Sequence, residues 1–206
     1  MQRIALALYS VALWLAQPLL LRKLRRRART EPGYAVAVPE RFGHYQQAGM
    51  PGQGGPLVWI HAVSLGETRA AAILLKELRA QLPGMRLLLT NGTATGRAEG
   101  EKLLHSGDIQ VWQPWDTPGA VRRFLRRFRP AIGILMETEI WPNLVAGCRA
   151  HHVPLVLANA RLNEKSRAGA QRLAWLSRPA YAGLAAVWAQ TEDDAARLRD
   201  VGAPVA

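Results

Sequence analysis

The stretch LVWIHAVSLGE, residues 57–67, decides the fold. Its first seven positions are apolar apart from one imidazole, and they run straight into a Ser-Leu-Gly-Glu turn from which an amphipathic segment sets out. So short an apolar run reads as a strand buried on both faces, which belongs in a parallel sheet covered by helices. AIGILM at 131–136 repeats the pattern and ends in ETEIWPN. Outward from these two, strands are expected at 86–90, 109–112, 154–158 and 186–190. Helices are expected near 66–82, 94–105, 117–129, 141–152, 166–182 and 192–201. Strands that alternate with helices through short loops make repeated βα units. The class is therefore α/β, and residues 57–206 are expected to form a doubly wound, Rossmann-like parallel sheet domain. The last four residues, Ala203 to Ala206, read as the start of a further strand.

Upstream the composition changes. Residues 30–56 are rich in Gly, Pro and Gln and read as a linker or surface loop, with Glu40-Arg41-Phe42-Gly43 as their only dense patch. Residues 4–21, IALALYSVALWLAQPLLL, are eighteen positions without a charge. As a helix they would span about 27 Å, close to the ~30 Å hydrocarbon core of a bilayer. In RKLRRRAR, residues 22–29, six of eight positions are Lys or Arg. A cleaved signal peptide carries its charge before the apolar run, so this order reads as an anchor helix with a basic flank over residues 1–29. Such a flank stays cytoplasmic and attracts anionic headgroups. A true span and a helix lying in the interface both remain open. The whole chain of 206 residues has 27 Lys+Arg against 15 Asp+Glu, a net charge of +12, and 49% hydrophobic residues, which excludes a disordered polypeptide. The lone Cys148 excludes a disulfide framework. No aromatic residues interleave with the Arg run to stack bases, so nucleic acid is not expected as a partner.

Ligands of an open parallel sheet bind beyond the carboxyl ends of its strands. At the first such end, Ser64 and Glu67 have the S-x-x-E spacing of a helix capping box. The same residues have a second reading: Glu67 as a carboxylate that takes a proton from a hydroxyl nucleophile, with Ser64 and Gly66 as backbone donors to an anion. At the second end, Glu137 and Glu139 leave an apolar strand ahead of Pro142. If the backbone stays extended they point to one side, where their proximity raises one pKa unless an arginine cancels it. At the third, Asn159 precedes Arg161, which suits an anion or one of those glutamates. Thr93 and Thr95 sit in a polar loop that reads equally as an anion site or as a turn with a cap. His151 and His152 have no ligand-spaced companions, so no metal is expected. Arg122, Arg123, Arg126, Arg127 and Arg129 make one basic helix, either a solvated face or a surface for anionic lipid.

These pieces carry a resemblance. Gln17-Pro18-Leu19, Glu40-Arg41-Phe42-Gly43, HAVSLGE, Thr93-Ala94-Thr95-Gly96, METEIWPN and NARLN resemble, in order along the whole chain, the 3-deoxy-D-manno-octulosonic acid (Kdo) transferases of lipopolysaccharide assembly. The resemblance implies a membrane-associated inverting glycosyltransferase of the B-type fold, which has two Rossmann domains. It would move Kdo from CMP-Kdo to the lipid A precursor at the cytoplasmic face of the inner membrane, without a metal or other cofactor. Carried onto this sequence, Glu67 matches the general base and Glu137 a second acidic residue assisting the transition state. Ser64, Gly66, Thr93, Thr95, Glu139, Asn159 and Arg161 are the expected substrate contacts. The domain that binds the CMP-sugar is expected beyond Ala206, which makes residues 57–206 the acceptor half. Two alternatives stand beside this one: a B-type glycosyltransferase acting on another membrane lipid, and a noncatalytic membrane-anchored acceptor-binding module.

Overall fold

The computed structural model describes residues 2–46 and 54–205. Six strands form one sheet: β1 (Leu57–His61), β2 (Arg86–Asn91), β3 (Ile109–Trp112), β4 (Ile132–Met136), β5 (Leu155–Ala160) and β6 (Ala186–Ala189). All neighbouring pairs are parallel, in the order β3-β2-β1-β4-β5-β6. The helices are α1 (Gln2–Ala28), α2 (Leu65–Gln81), α3 (Ala94–Glu101), α4 (Pro118–Phe128), α5 (Pro142–Ala150), α6 (Glu164–Arg172), α7 (Ala174–Tyr181) and α8 (Glu192–Asp200). The chain walks outward from β1 to β3, returns to β4 beside β1, and walks outward again. The strand order therefore reverses between β1 and β4, and a crevice opens beyond their carboxyl ends. Val205 makes a parallel bridge to Val187, so the expected strand start at the end of the chain is present as a single pairing.

Alternation along β1 explains its uniformly apolar sequence. Trp59 points to one face, where it packs edge-on against Phe124 of α4, ring centroids 4.9 Å apart. Val58 and Ile60 point to the other, in the same apolar cluster as Ala71 and Leu75 of α2. Both faces are covered, so a polar atom on the strand left without a partner costs free energy. Gly133 on β4 is required by this packing: a Cβ there would lie 2.6 Å from the Trp59 ring and 2.7 Å from Leu155.

Three expectations need correction. The helix expected over 166–182 is two helices, capped at its start by the Asn163 side chain and broken at Leu173. α6 buries no residue, whereas α7 buries Ala180 and Tyr181 and packs on α1 and α5, so the chain turns to lay down its second half. Residues 30–46 are not a linker. They form two 3-10 turns, Pro32–Ala35 and Val38–Phe42, and bury Tyr34, Glu40 and Arg41. Glu40 accepts the main-chain N–H of Trp112 at 2.8 Å and pairs with Arg97 at 3.1 Å, while the Arg41 guanidinium lies 4.1 Å over the Trp112 ring. β3 is an edge strand, and this segment covers the edge with a carboxylate and two aromatic contacts. Its Gly and Pro residues serve tight turns: Gly43 has φ +81° and a Cβ would strike the Ala120 carbonyl at 2.6 Å. The rest of the expected linker, 47–53, lies outside the described residues. The third correction concerns Glu137 and belongs with the site.

α1 is one continuous helix, and its 3–28 stretch is long and apolar enough, by length and composition, to cross a membrane. Its inner face, with Leu13, Leu20 and Leu24, lies against the domain. Its outer face exposes Ile4, Leu8, Val11, Leu15 and Leu19, a stripe that continues at helical spacing into Arg22 and Arg26.

Candidate active site at the switch point

The backbone leaves β1 in extended conformation and Ser64 becomes the N-cap of α2. The Ser64 hydroxyl accepts the Glu67 N–H at 3.3 Å and lies 2.9 Å from Glu67 Oε1, while Glu67 Oε2 accepts the Val63 N–H at 2.8 Å. The capping box is thus formed, and it holds a buried carboxylate at the mouth of the crevice. Burial pushes the Glu67 pKa above its ordinary value, with the Glu137 charge adding to the rise and the hydrogen bonds from Val63 and Ser64 opposing it. Gly66 is exposed in the first turn beside it.

β4 delivers the second set. Glu137 adopts a left-handed backbone, φ +61°, so the chain turns at this point instead of staying extended. Glu137 Oε2 lies 3.4 Å from Arg161 Nη2, the pairing that the third strand end offered. Glu139 turns into a cavity, half-buried, with its pKa pushed up to about 7 by desolvation first and then by the negative charges of Glu67 and Glu137. These couplings place the three carboxylates within electrostatic reach of one another. Asn159 also has a positive φ, +52°, at the irregular register between β5 and β6, and its carbonyl accepts from the Gln190 side chain. Thr93 caps α3: its hydroxyl takes the Gly96 N–H at 3.1 Å and lies 2.9 Å from the Val63 carbonyl. Thr95 is exposed next to it, 3.4 Å between the two hydroxyls. The loop after β2 is therefore tied to the loop after β1, and Ser64, Gly66, Glu67, Thr93 and Thr95 surround one corner of the crevice, with Glu137, Glu139 and Arg161 on the β4–β5 side. Among the described residues no group of three His, Cys, Asp or Glu side chains gathers to hold a metal ion.

α1 roofs a cavity of about 400 Å³ over the strand ends. Its floor includes His61, Gln113 and Glu139, and its roof Leu13, Leu20 and Leu24. The helix is held by polar contacts that the sequence reading did not single out. Buried Asp116 accepts the N–H groups of Asn143 at 3.0 Å and Leu144 at 2.7 Å, at the start of α5, and takes a hydrogen bond from Tyr9 of α1. Desolvation pushes the Asp116 pKa up to about 6 against those hydrogen bonds. Ser10 of α1 lies 3.0 Å from Asn143 Oδ1. The signal for Asp116 was available, because Trp112-Gln113-Pro114-Trp115-Asp116 also follows a strand and precedes a helix.

Residues 37–206 match the family described as 3-deoxy-D-manno-octulosonic-acid transferase (kdotransferase). A protein named 3-deoxy-D-manno-octulosonic acid transferase from Bordetella pertussis is 47% identical over 201 residues, covering 95% of this chain and 46% of its own length. One of the same name from Haemophilus influenzae is 34% identical over 158 residues, covering 77% and 36%. A probable mitochondrial one from Arabidopsis thaliana is 38% identical over 128 residues, covering 62% and 28%. Among solved structures, the Phytolacca americana UGT2 complexed with UDP-2fluoro-glucose and pterostilbene has a TM-score of 0.46 at 11% identity, covering 73% of this chain and 53% of that one. The chain spans less than half the length of the curated relatives it matches. With residues 37–206 matched to the family and 95% of its length aligned to a relative at 47% identity, this chain belongs to the 3-deoxy-D-manno-octulosonic acid transferase family.

Proposed function

We propose that this chain supplies the acceptor side of an inverting transfer of Kdo from CMP-Kdo to the lipid A precursor, at the cytoplasmic face of the inner membrane. The observation that carries the reading is Glu67: a buried carboxylate of raised pKa, held at the switch point by Val63 and Ser64. In the reaction an acceptor hydroxyl hands its proton to Glu67 as its oxygen bonds the anomeric carbon of Kdo. The bond from that carbon to the CMP phosphate oxygen breaks, and the electron pair leaves with CMP. A general base of this kind contributes roughly 10²- to 10⁴-fold in rate. In this reading Glu137, paired with Arg161, assists the transition state as the second carboxylate. The helix α1 lies along the membrane surface in this reading, since it packs on the domain with one apolar face and leaves the other open. The exposed arginines of α4 and of the α1 flank meet the anionic headgroups.

The test uses this chain joined to the C-terminal portion of the Bordetella pertussis relative that lies outside the match. Transfer from CMP-Kdo to the lipid A precursor is expected, and Glu67→Gln is expected to lower kcat by at least 10²-fold while acceptor binding persists. Transfer by Glu67→Gln at the parent rate would remove the base assignment, and binding without any turnover would favour the noncatalytic module.

A further inference from the structure

The cavity beneath α1 contains buried polar atoms that the fold itself leaves unused. Among the described residues, His61 Nε2, Gln113 Oε1 and Arg41 Nε have no hydrogen-bond partner. All three side chains line this one cavity, and they are 1%, 8% and 6% exposed. An unpaired buried polar atom costs about 1–3 kcal/mol, so three of them around one space form a site prepared for a ligand or its water. Their chemistry can be read. His61 Nδ1 lies 3.0 Å from the Thr90 carbonyl oxygen and 2.9 Å from the Thr90 hydroxyl. The carbonyl only accepts, and a bare Nδ1 would set two lone pairs against each other there, so we assign the ring proton to Nδ1 and leave Nε2 as an acceptor. Burial depresses the His61 pKa to about 4, which keeps the ring neutral at physiological pH. Gln113 Oε1 is a second acceptor and Arg41 Nε a donor. Arg41 is fixed by its 3.3 Å bond to the Gly92 carbonyl and its seat on Trp112. α1 contributes Leu13, Leu20 and Leu24 to the same lining, together with Lys23 and Arg27, and Asp116 and Glu139 add carboxylates to it.

We propose that this cavity is a subsite for the hydroxyl-bearing part of an amphipathic glycolipid, with His61 Nε2 and Gln113 Oε1 accepting its O–H groups, Arg41 Nε donating to an oxygen, and its apolar part lying against Leu13, Leu20 and Leu24. It rests on the reading that the acceptor is a membrane glycolipid, and it adds which side chains read the hydroxyls. The subsite adjoins the catalytic corner through Val63 and Glu139, both of which line it. An apolar ligand would leave all three polar atoms unpaired, so the site discriminates against it.

The experiment titrates hexyl β-D-glucoside, and separately hexyltrimethylammonium, into the full chain in nanodiscs of phosphatidylcholine and phosphatidylglycerol. Ring nitrogen signals of labelled histidines are followed, and His61 is identified as a ring that stays neutral between pH 5 and 8. The glucoside is expected to shift His61 Nε2 saturably with Nδ1 still protonated, and the ammonium is expected to leave it unmoved. Gln113→Leu is expected to weaken the glucoside by about tenfold, the loss of one buried hydrogen bond. Equal responses to the two probes, a silent His61 at saturation, or a folded Gln113→Leu that binds like the parent would overturn the proposal. If Gln113→Leu does not fold, the parent titration decides alone. Because binding is read without CMP-Kdo, glucoside binding in a protein that transfers nothing sinks only the transfer reading. Normal transfer with a silent His61 sinks only the subsite.

Discussion

At the scale of single residues, the acidic cluster has consequences for pH. In the proposed role Glu67 must be ionised to act as a base, so its raised pKa is expected to set the acid limb of the proposed transfer above the ordinary glutamate value of 4.5. The Glu137 charge is one source of that rise, so Glu137→Gln is expected to move the limb to lower pH whatever it does to the maximum rate; a pH profile of kcat/KM in both proteins checks this. Glu139 gives a stability effect of defined sign. Its pKa in the folded chain is about 7 against 4.5 unfolded, so the unfolded state loses its proton first and stability falls as pH rises through that window. Glu139→Gln is therefore expected to be more stable than the parent at pH 8 by up to about 3 kcal/mol and nearly equal to it at pH 4, as urea unfolding at the two pH values would show. The positions of these carboxylates at strand ends were legible from apolar runs ending in E-T-E and S-L-G-E. The left-handed turn at Glu137 was not, because no residue type in E-T-E marks a positive φ.

At the scale of elements, two attachments that composition disguised can be tested. The 30–46 segment reads as loop because Gly and Pro dominate it, yet Glu40 joins it to an edge strand and to Arg97. Glu40→Ala leaves Arg97 beside Trp112 without that carboxylate and the Trp112 N–H without its acceptor, and is expected to cost about 3 kcal/mol in denaturant unfolding. The second attachment is the hold of Tyr9 and Ser10 on Asp116 and Asn143. Tyr9→Phe keeps the ring and removes the donor, so faster hydrogen exchange confined to α1 is the expected outcome, with the sheet unchanged. Long-range polar partners of this kind have no period and leave no trace in a helical pattern. The split of α6 from α7 is similar, since it depends on what α7 packs against rather than on its own residues.

For the whole molecule, the arrangement of α1 matters most. Both of its faces are apolar, which in a chain surrounded only by water would leave Leu8 and Leu15 at 61% and 64% exposure without compensation. The double substitution Leu8→Glu with Leu15→Glu leaves the inner face intact and is expected to lower binding to phosphatidylglycerol vesicles by at least tenfold in a sedimentation assay, with unchanged thermal unfolding of the domain. Persistent vesicle binding would instead assign attachment to the arginines of α4 and the α1 flank, and raised salt would then abolish it.

Number and direction of the strands follow from local rules, since apolar runs buried on both faces between amphipathic segments admit little besides a parallel α/β sheet, and the motifs fall at its carboxyl edge by the same logic. Which motifs become neighbours is a different matter. β1 and β4 lie side by side although about seventy residues separate them in sequence, and only their pairing brings Glu67 within reach of Glu137 and Glu139. The burial that raises the pKa of Glu67, Glu139 and Asp116, the turn that sends Glu137 to Arg161, and the roof that α1 places over His61, Arg41 and Gln113 are decided by tertiary contact. Desolvation and the satisfaction of buried polar atoms depend on every element around a group, and no local stretch of chain contains that information.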